Sequence, residues 1–105
     1  MAYDPVRQEC VLFGNYGQTW VWNGADWTQR SPLHSPPSRN TPTLIADGTS
    51  NTVLLFGGSN GDGTWAWNGT DWKELTPSTV PEGRQYSTMV WDSFRKRGVL
   101  FGGDV

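Results

Sequence analysis

The chain repeats itself. TWVWNGADW at Thr19 to Trp27 returns as TWAWNGTDW at Thr64 to Trp72, and VLFG at Val11 to Gly14 returns as LLFGG at Leu54 to Gly58 and VLFGG at Val99 to Gly103. Phe13 and Phe56 stand 43 residues apart and Phe56 and Phe101 45, while Trp20 and Trp65, Trp27 and Trp72, and Arg39 and Arg84 are all separated by 45. A period of this size belongs to chains built from supersecondary units that bury their apolar faces only against neighbours. The two-residue difference falls in one loop, FGNYGQTW in the first copy and FGGSNGDGTW in the second, where Gly, Asn and Asp absorb changes of length. Met1, Asp4 and Phe13 align with Met89, Asp92 and Phe101 at a constant offset of 88, so the 105 residues read as two repeats followed by an overlap of 17. The units expected are 1–40, 41–84 and 85–105.

No stretch of ten or more residues has a helical period, and turn signals recur every eight to twelve residues, which predicts an all-β chain with four strands per repeat. In the second copy these strands are expected at Thr41 to Asp47, Asn51 to Gly57, Thr64 to Asn68 and Asp71 to Thr76. Asp47-Gly48 and Asn68-Gly69, with Asn23-Gly24 in the first copy, supply residues that tolerate positive φ at hairpin turns. Consecutive strands then form an antiparallel meander. Val53, Leu54, Leu55 and Phe56 are apolar on both faces, as suits a strand sandwiched between sheets, whereas Lys73 and Glu74 mark the fourth strand as an outer edge. The two-residue period puts Trp65 and Trp67 on one face and Ala66 on the other, giving each sheet a bulky and a small side that can stack in succession.

Composition closes other routes to stability and function. With 8 Lys+Arg against 10 Asp+Glu, a net charge of -2 and 17% charged residues, there is no electrostatic case for nucleic acid or an anionic membrane surface. One Cys and one His supply neither an intramolecular disulfide nor a Cys/His zinc site. No apolar run approaches the ~20 residues of a membrane helix, and MAYDPVRQEC lacks the basic-then-apolar layout of a signal peptide. A chain held together by packing alone, in a compartment the sequence does not specify, is the expectation.

A four-stranded meander repeating every 43 to 45 residues, with a Gly pair after the second strand and aromatics on the third and fourth, resembles the kelch repeat of β-propellers. Gly57-Gly58 and Gly102-Gly103 match the family's diglycine, and Trp22 and Trp67 stand where it usually has a tyrosine. Trp27 and Trp72 match its tryptophan, and Arg39 and Arg84 its arginine before the first strand. Gly14-Asn15 replaces the first diglycine, and the Trp22-to-Trp27 spacing is shorter than in many members. The resemblance implies propeller blades, incomplete as a ring in one chain. It spans several functions, since kelch propellers serve as partner-binding platforms, sugar-related enzymes and extracellular modules.

Each conspicuous motif has a structural reading. Trp20, Trp22, Trp27, Trp65, Trp67 and Trp72 recur from copy to copy, so a role between blades is preferred to a platform for a sugar ring. Phe13, Phe56 and Phe101 recur likewise. Gly57-Gly58 lacks the lysine or extra glycines of a phosphate loop and is expected to allow close backbone approach. Asn60 and Asp62 in SNGDGT superficially resemble a calcium loop, but no bidentate Glu follows at the required distance. Asn68-Gly69-Thr70 is both a glycosylation triplet and a turn dipeptide, and is taken as a turn. Arg39 and Arg84 are expected to bond backbone or an acidic group of the next blade. His34 is placed in an exposed linker without a catalytic partner, and Cys10 just before the second strand as a half-buried small residue.

The reading that follows is a non-catalytic scaffold or partner-binding segment without cofactor or metal, whose candidate binding loops are Ser59, Asn60 and Asp62 with their neighbours and the Leu33 to Arg39 connection. The copper sites of sugar-related members need several histidines and a tyrosine-cysteine pair, which His34 and Cys10 cannot supply. A carbohydrate-binding module, or a fragment of a larger propeller protein or enzyme, is the alternative. Two blades leave broad sheet faces open, so a homo-oligomer is expected, with a trimer favoured over a dimer, and a protein or glycan ligand as further partner.

Overall fold

A computed structural model of the chain describes residues 1–14, 16–58, 63–79, 81 and 84–103. Among the described residues there are ten strands and no helix, in three antiparallel sheets. The first sheet is β1 (Ala2–Asp4), β2 (Glu9–Phe13), β3 (Thr19–Trp22) and β4 (Trp27–Arg30), in that spatial order. The second repeats it with β5 (Thr43–Asp47), β6 (Thr52–Phe56), β7 (Thr64–Trp67) and β8 (Trp72–Leu75), and the third is the hairpin β9 (Thr88–Asp92) and β10 (Arg97–Phe101). The register repeats as well: Ala2 faces Val11, Ile45 faces Leu54 and Val90 faces Val99.

The strands of the second copy are shorter than expected, for backbone reasons. Thr41 takes φ of 51° and Pro42 follows, so β5 starts at Thr43; Gly57 at 79° ends β6 at Phe56. The first hairpin of each sheet also differs from expectation. Gly48 does not carry the left-handed residue; Asn51 does, at φ 58°, as do Gln8 at 57° and Lys96 at 55° in the other sheets. Asp47 instead caps the turn, its Oδ1 accepting from the backbone N–H groups of Thr49 and Ser50. Asp4 does the same for Val6 and Arg7, and Asp92 for Phe94 and Arg95. This is the Asx turn that a short carboxylate offers its own backbone. At the β3–β4 and β7–β8 turns Asn23 and Asn68 play that part, and Gly24 and Gly69 take the positive φ as expected.

The core lies between the first two sheets. Val11, Phe13 and Val21 of the first meet Leu44, Val53, Leu55, Trp67 and Trp72 of the second, with Ala2 and Trp65 packed at the margin. The period-2 rule explains the division: Val53, Leu55, Trp65 and Trp67 share the face turned to the first sheet, and Ile45, Leu54 and Ala66 share the opposite one, where Ile45 reaches Gly98 of the third sheet. β5 touches both β1 and β9, so the first strands of the three sheets lie side by side.

Trp72 ties this core together. Its ring meets the Phe13 ring edge-on at 5.8 Å and the Trp67 ring at 5.3 Å, and its Nε1–H donates to Thr19 Oγ1 at 2.9 Å, so the one polar atom of a fully packed indole is satisfied across the interface. Trp72→Phe and Thr19→Val should each cost about 1–2 kcal/mol, and the double variant should cost about 1 kcal/mol less than the sum. Chemical denaturation of the four proteins measures the coupling; strict additivity would exclude the bond.

Candidate functional site

Two arrangements stand at places singled out from sequence, and the first of them recurs. The first is a lock between an arginine and a diglycine. Arg39 is buried, donating from Nη1 to the Gly57 carbonyl at 3.1 Å and from Nε to the Pro37 carbonyl at 3.1 Å. Arg84 repeats the bond to the Gly102 carbonyl at 3.2 Å. Both arginines therefore bind backbone of the sheet that follows them, one of the two roles expected. The glycines are needed there. Gly57 and Gly58 have φ of 79° and 91°, Gly58 N–H donates to the Arg84 carbonyl at 2.7 Å, and a Cβ on Gly58 would stand 2.6 Å from the Asn40 carbonyl oxygen. Gly102, at φ 76°, meets no described residue where a Cβ would go. Gly102→Ala should thus cost only the left-handed strain, about 1 kcal/mol, and Gly58→Ala about 3 kcal/mol or more because strain and backbone overlap add. Thermal melts of the pair separate these; equal losses would remove the close approach.

The second arrangement is a cleft of about 580 Å³ on the outer part of the second sheet, lined by His34, Ser35, Trp65, Asn68, Asp71, Trp72, Lys73 and Glu74. Antiparallel pairing places Trp65 opposite Glu74 and Trp67 opposite Trp72, so indole and carboxylate share one face. The linker from β4 crosses above them. His34, expected without a catalytic partner, has a structural one that the sequence did not disclose: its backbone N–H donates to Asp71 Oδ1 at 2.7 Å, and its Nδ1 stands 2.7 Å from Oδ2. The contact spans 37 residues, and no local pattern announces it. Ser35 does not extend the pair toward a nucleophilic triad, because its hydroxyl donates to the Pro36 carbonyl at 3.3 Å. The pair acts as a latch that fastens the linker to the β7–β8 turn.

The His34 ring N–H, and after it the His34 backbone N–H, hold the Asp71 carboxyl below the usual aspartate range. The sign follows: with a depressed pKa in the folded state, the latch is fully formed above the ordinary aspartate range and is lost as pH falls through the lowered value. In His34→Ala the Asp71 carboxyl should titrate higher than in the parent chain by carbon NMR, though still below the ordinary range, because the backbone N–H of residue 34 remains. An unchanged titration would exclude the latch.

The remaining expected positions fall into place unevenly. Phe13, Phe56, Trp67 and Trp72 are buried, and Trp20, Trp22 and Trp65 half-buried, whereas Trp27 is 41% exposed and Phe101 82% exposed. Sequence equivalence thus does not carry over to burial in the outer copies. Cys10 lies inside β2 and not before it, a free thiol half-buried beside Trp22. Ser59, Asn60 and Asp62 lie outside the described residues. Among the described residues no group of three His, Cys, Asp or Glu side chains is placed to hold a metal ion. No family model, curated protein or solved structure matches the chain.

Proposed function

We propose that the chain is a non-catalytic segment of a kelch-type β-propeller: a scaffold of stacked blades that associates with further copies of itself and offers its loops to a partner. The observation that carries this reading is the unequal fate of equivalent residues. Trp72 is 2% exposed and Trp27 41%; Phe13 is 4% exposed and Phe101 82%. Each buried member is covered by a neighbouring sheet, and each exposed member occupies the same place on a sheet face that no other sheet covers among the described residues. Apolar faces of this kind on repeat proteins are interaction surfaces. Chemistry has little support by comparison, since the His34–Asp71 pair is engaged in fastening a linker and the Ser35 hydroxyl beside it bonds the Pro36 carbonyl instead of the imidazole.

The cleft gives a second reading, a carbohydrate site, because the Trp65 indole is flanked by the polar groups of Asn68, Asp71, Lys73 and Glu74. Light scattering at micromolar concentration, metal analysis and a glycan array distinguish these readings. The scaffold reading expects a mass above 11.7 kDa and no stoichiometric metal. Glycan binding abolished by Glu74→Gln would establish the second reading, and bound copper with turnover would overturn the non-catalytic one.

A further inference from the structure

The first sheet carries an open socket, and the third sheet carries the side chains that fit it. The template is the contact between the first and second sheets. There Arg7 holds Asp4 Oδ2 through Nη1 at 2.8 Å and reaches across to the Asn51 carbonyl at 2.9 Å. Its guanidinium lies over Gly69 and occupies the space a Cβ would take. Beside it, Phe13 sets its edge against Trp72 and Val11 is fully buried.

Every member of this contact has a counterpart left open. The offset of 88 carries Asp4, Arg7, Val11 and Phe13 onto Asp92, Arg95, Val99 and Phe101, and the register of β9 and β10 reproduces that of β1 and β2. Arg95 holds Asp92 Oδ2 at 2.9 Å, as Arg7 holds Asp4, yet its side chain is 64% exposed. Val90, Val99 and Phe101 form an exposed apolar stripe. On the other side, offsets of 43 and 45 carry Asn51, Gly69 and Trp72 onto Gln8, Gly24 and Trp27. Among the described residues nothing lies within 4 Å of where a Cβ on Gly24 would stand, and Gly24 borders a hollow of about 530 Å³ with Tyr3, Gln8, Cys10, Trp22 and Asn23. This hollow is where an arginine lies in the second sheet.

We propose that a second copy of this chain fills it. The β9–β10 hairpin of one copy lies on the tryptophan face of the first sheet of the next, with Phe101 edge-on to Trp27 and Arg95 in the hollow, donating to the Gln8 carbonyl. Arg95 brings its own counter-ion, Asp92, so the charge is paired when water leaves. The indole of Trp22 and the ring of Tyr3 line the hollow and suit a guanidinium. Donor and socket sit on different sheets, with the second sheet between them, so the contact is head-to-tail and propagates into a closed ring or an open stack. The proposal rests on the scaffold reading above and gives its self-association a specific interface.

Sedimentation analysis of the full chain tests it, with circular dichroism to show that each variant stays folded. Trp27→Ala and Phe101→Ala should each weaken self-association by about thirtyfold, and Arg95→Ala by about tenfold, at unchanged spectra. The decisive sample is a mixture of Trp27→Ala, which keeps its donor, with Phe101→Ala, which keeps its socket. One intact interface then remains, and a species of two chains that stops growing is expected. Wild-type association that survives all three substitutions, or a mixture that yields no two-chain species, overturns this interface and leaves the scaffold reading standing. A wild-type chain that stays single at micromolar concentration overturns both.

Discussion

The structure depends on one indole being covered. Trp72 sits at the outer strand of the second sheet, but its ring lies under Phe13 and its N–H reaches Thr19, both in the first sheet. Neither sheet has a core of its own. A four-stranded meander can bury its side chains only against something laid across it, and here the bulky face of one copy is closed by the small face of the other. Burial of an aromatic of this size is among the largest single contributions available to a chain with no disulfide. Its neighbour Trp67 is equally enclosed, but its Nε1 has no acceptor among the described residues, so it is held there by burial and its contact with the Trp72 ring.

Around that contact the backbone is regulated by short polar side chains. Asp4, Asp47 and Asp92 close the first hairpin of their sheets, and Asn23 and Asn68 close the last. Each supplies acceptors to N–H groups that a turn leaves without strand partners, the same accounting that every exposed turn must meet. The arginine before each later sheet adds a longer tie, from linker to diglycine carbonyl. Strand ends, linker and core are thus held by separate interactions, which lets one repeat be stacked on the next without altering its interior. The latch between His34 and Asp71 belongs to this group, because it joins the first linker to the far turn of the second sheet.

Much of this was legible in the residues. The alternation of Trp65, Ala66 and Trp67 predicted two faces of different bulk, and the paired registers place them so. Lys73 and Glu74 marked an outer strand, and β8 is an edge. The glycine pair pointed to close backbone approach, and the Asn40 and Arg84 carbonyls supply it. Where the reading failed, the cause was specific. Gly48 looked like the left-handed residue of its turn, but the turn is one of four residues capped by Asp47, and the left-handed position comes at its end, at Asn51. The partner of His34 was illegible because it comes from another sheet, through a linker whose path has no periodicity to read.

The sequence by itself determined the unit and its repetition. Period-2 patterning, turn dipeptides and equal spacings are local or translational properties, and a strand expresses them wherever it is placed. Tertiary structure decided which copy of each residue is spent on the core. Trp27 and Trp72 are written in nearly identical words, as are Phe13 and Phe101, and only the presence or absence of a sheet across them separates buried from exposed. Burial is a property of neighbours and not of a residue. Two identical motifs therefore become a keystone in one place and an open surface in the other.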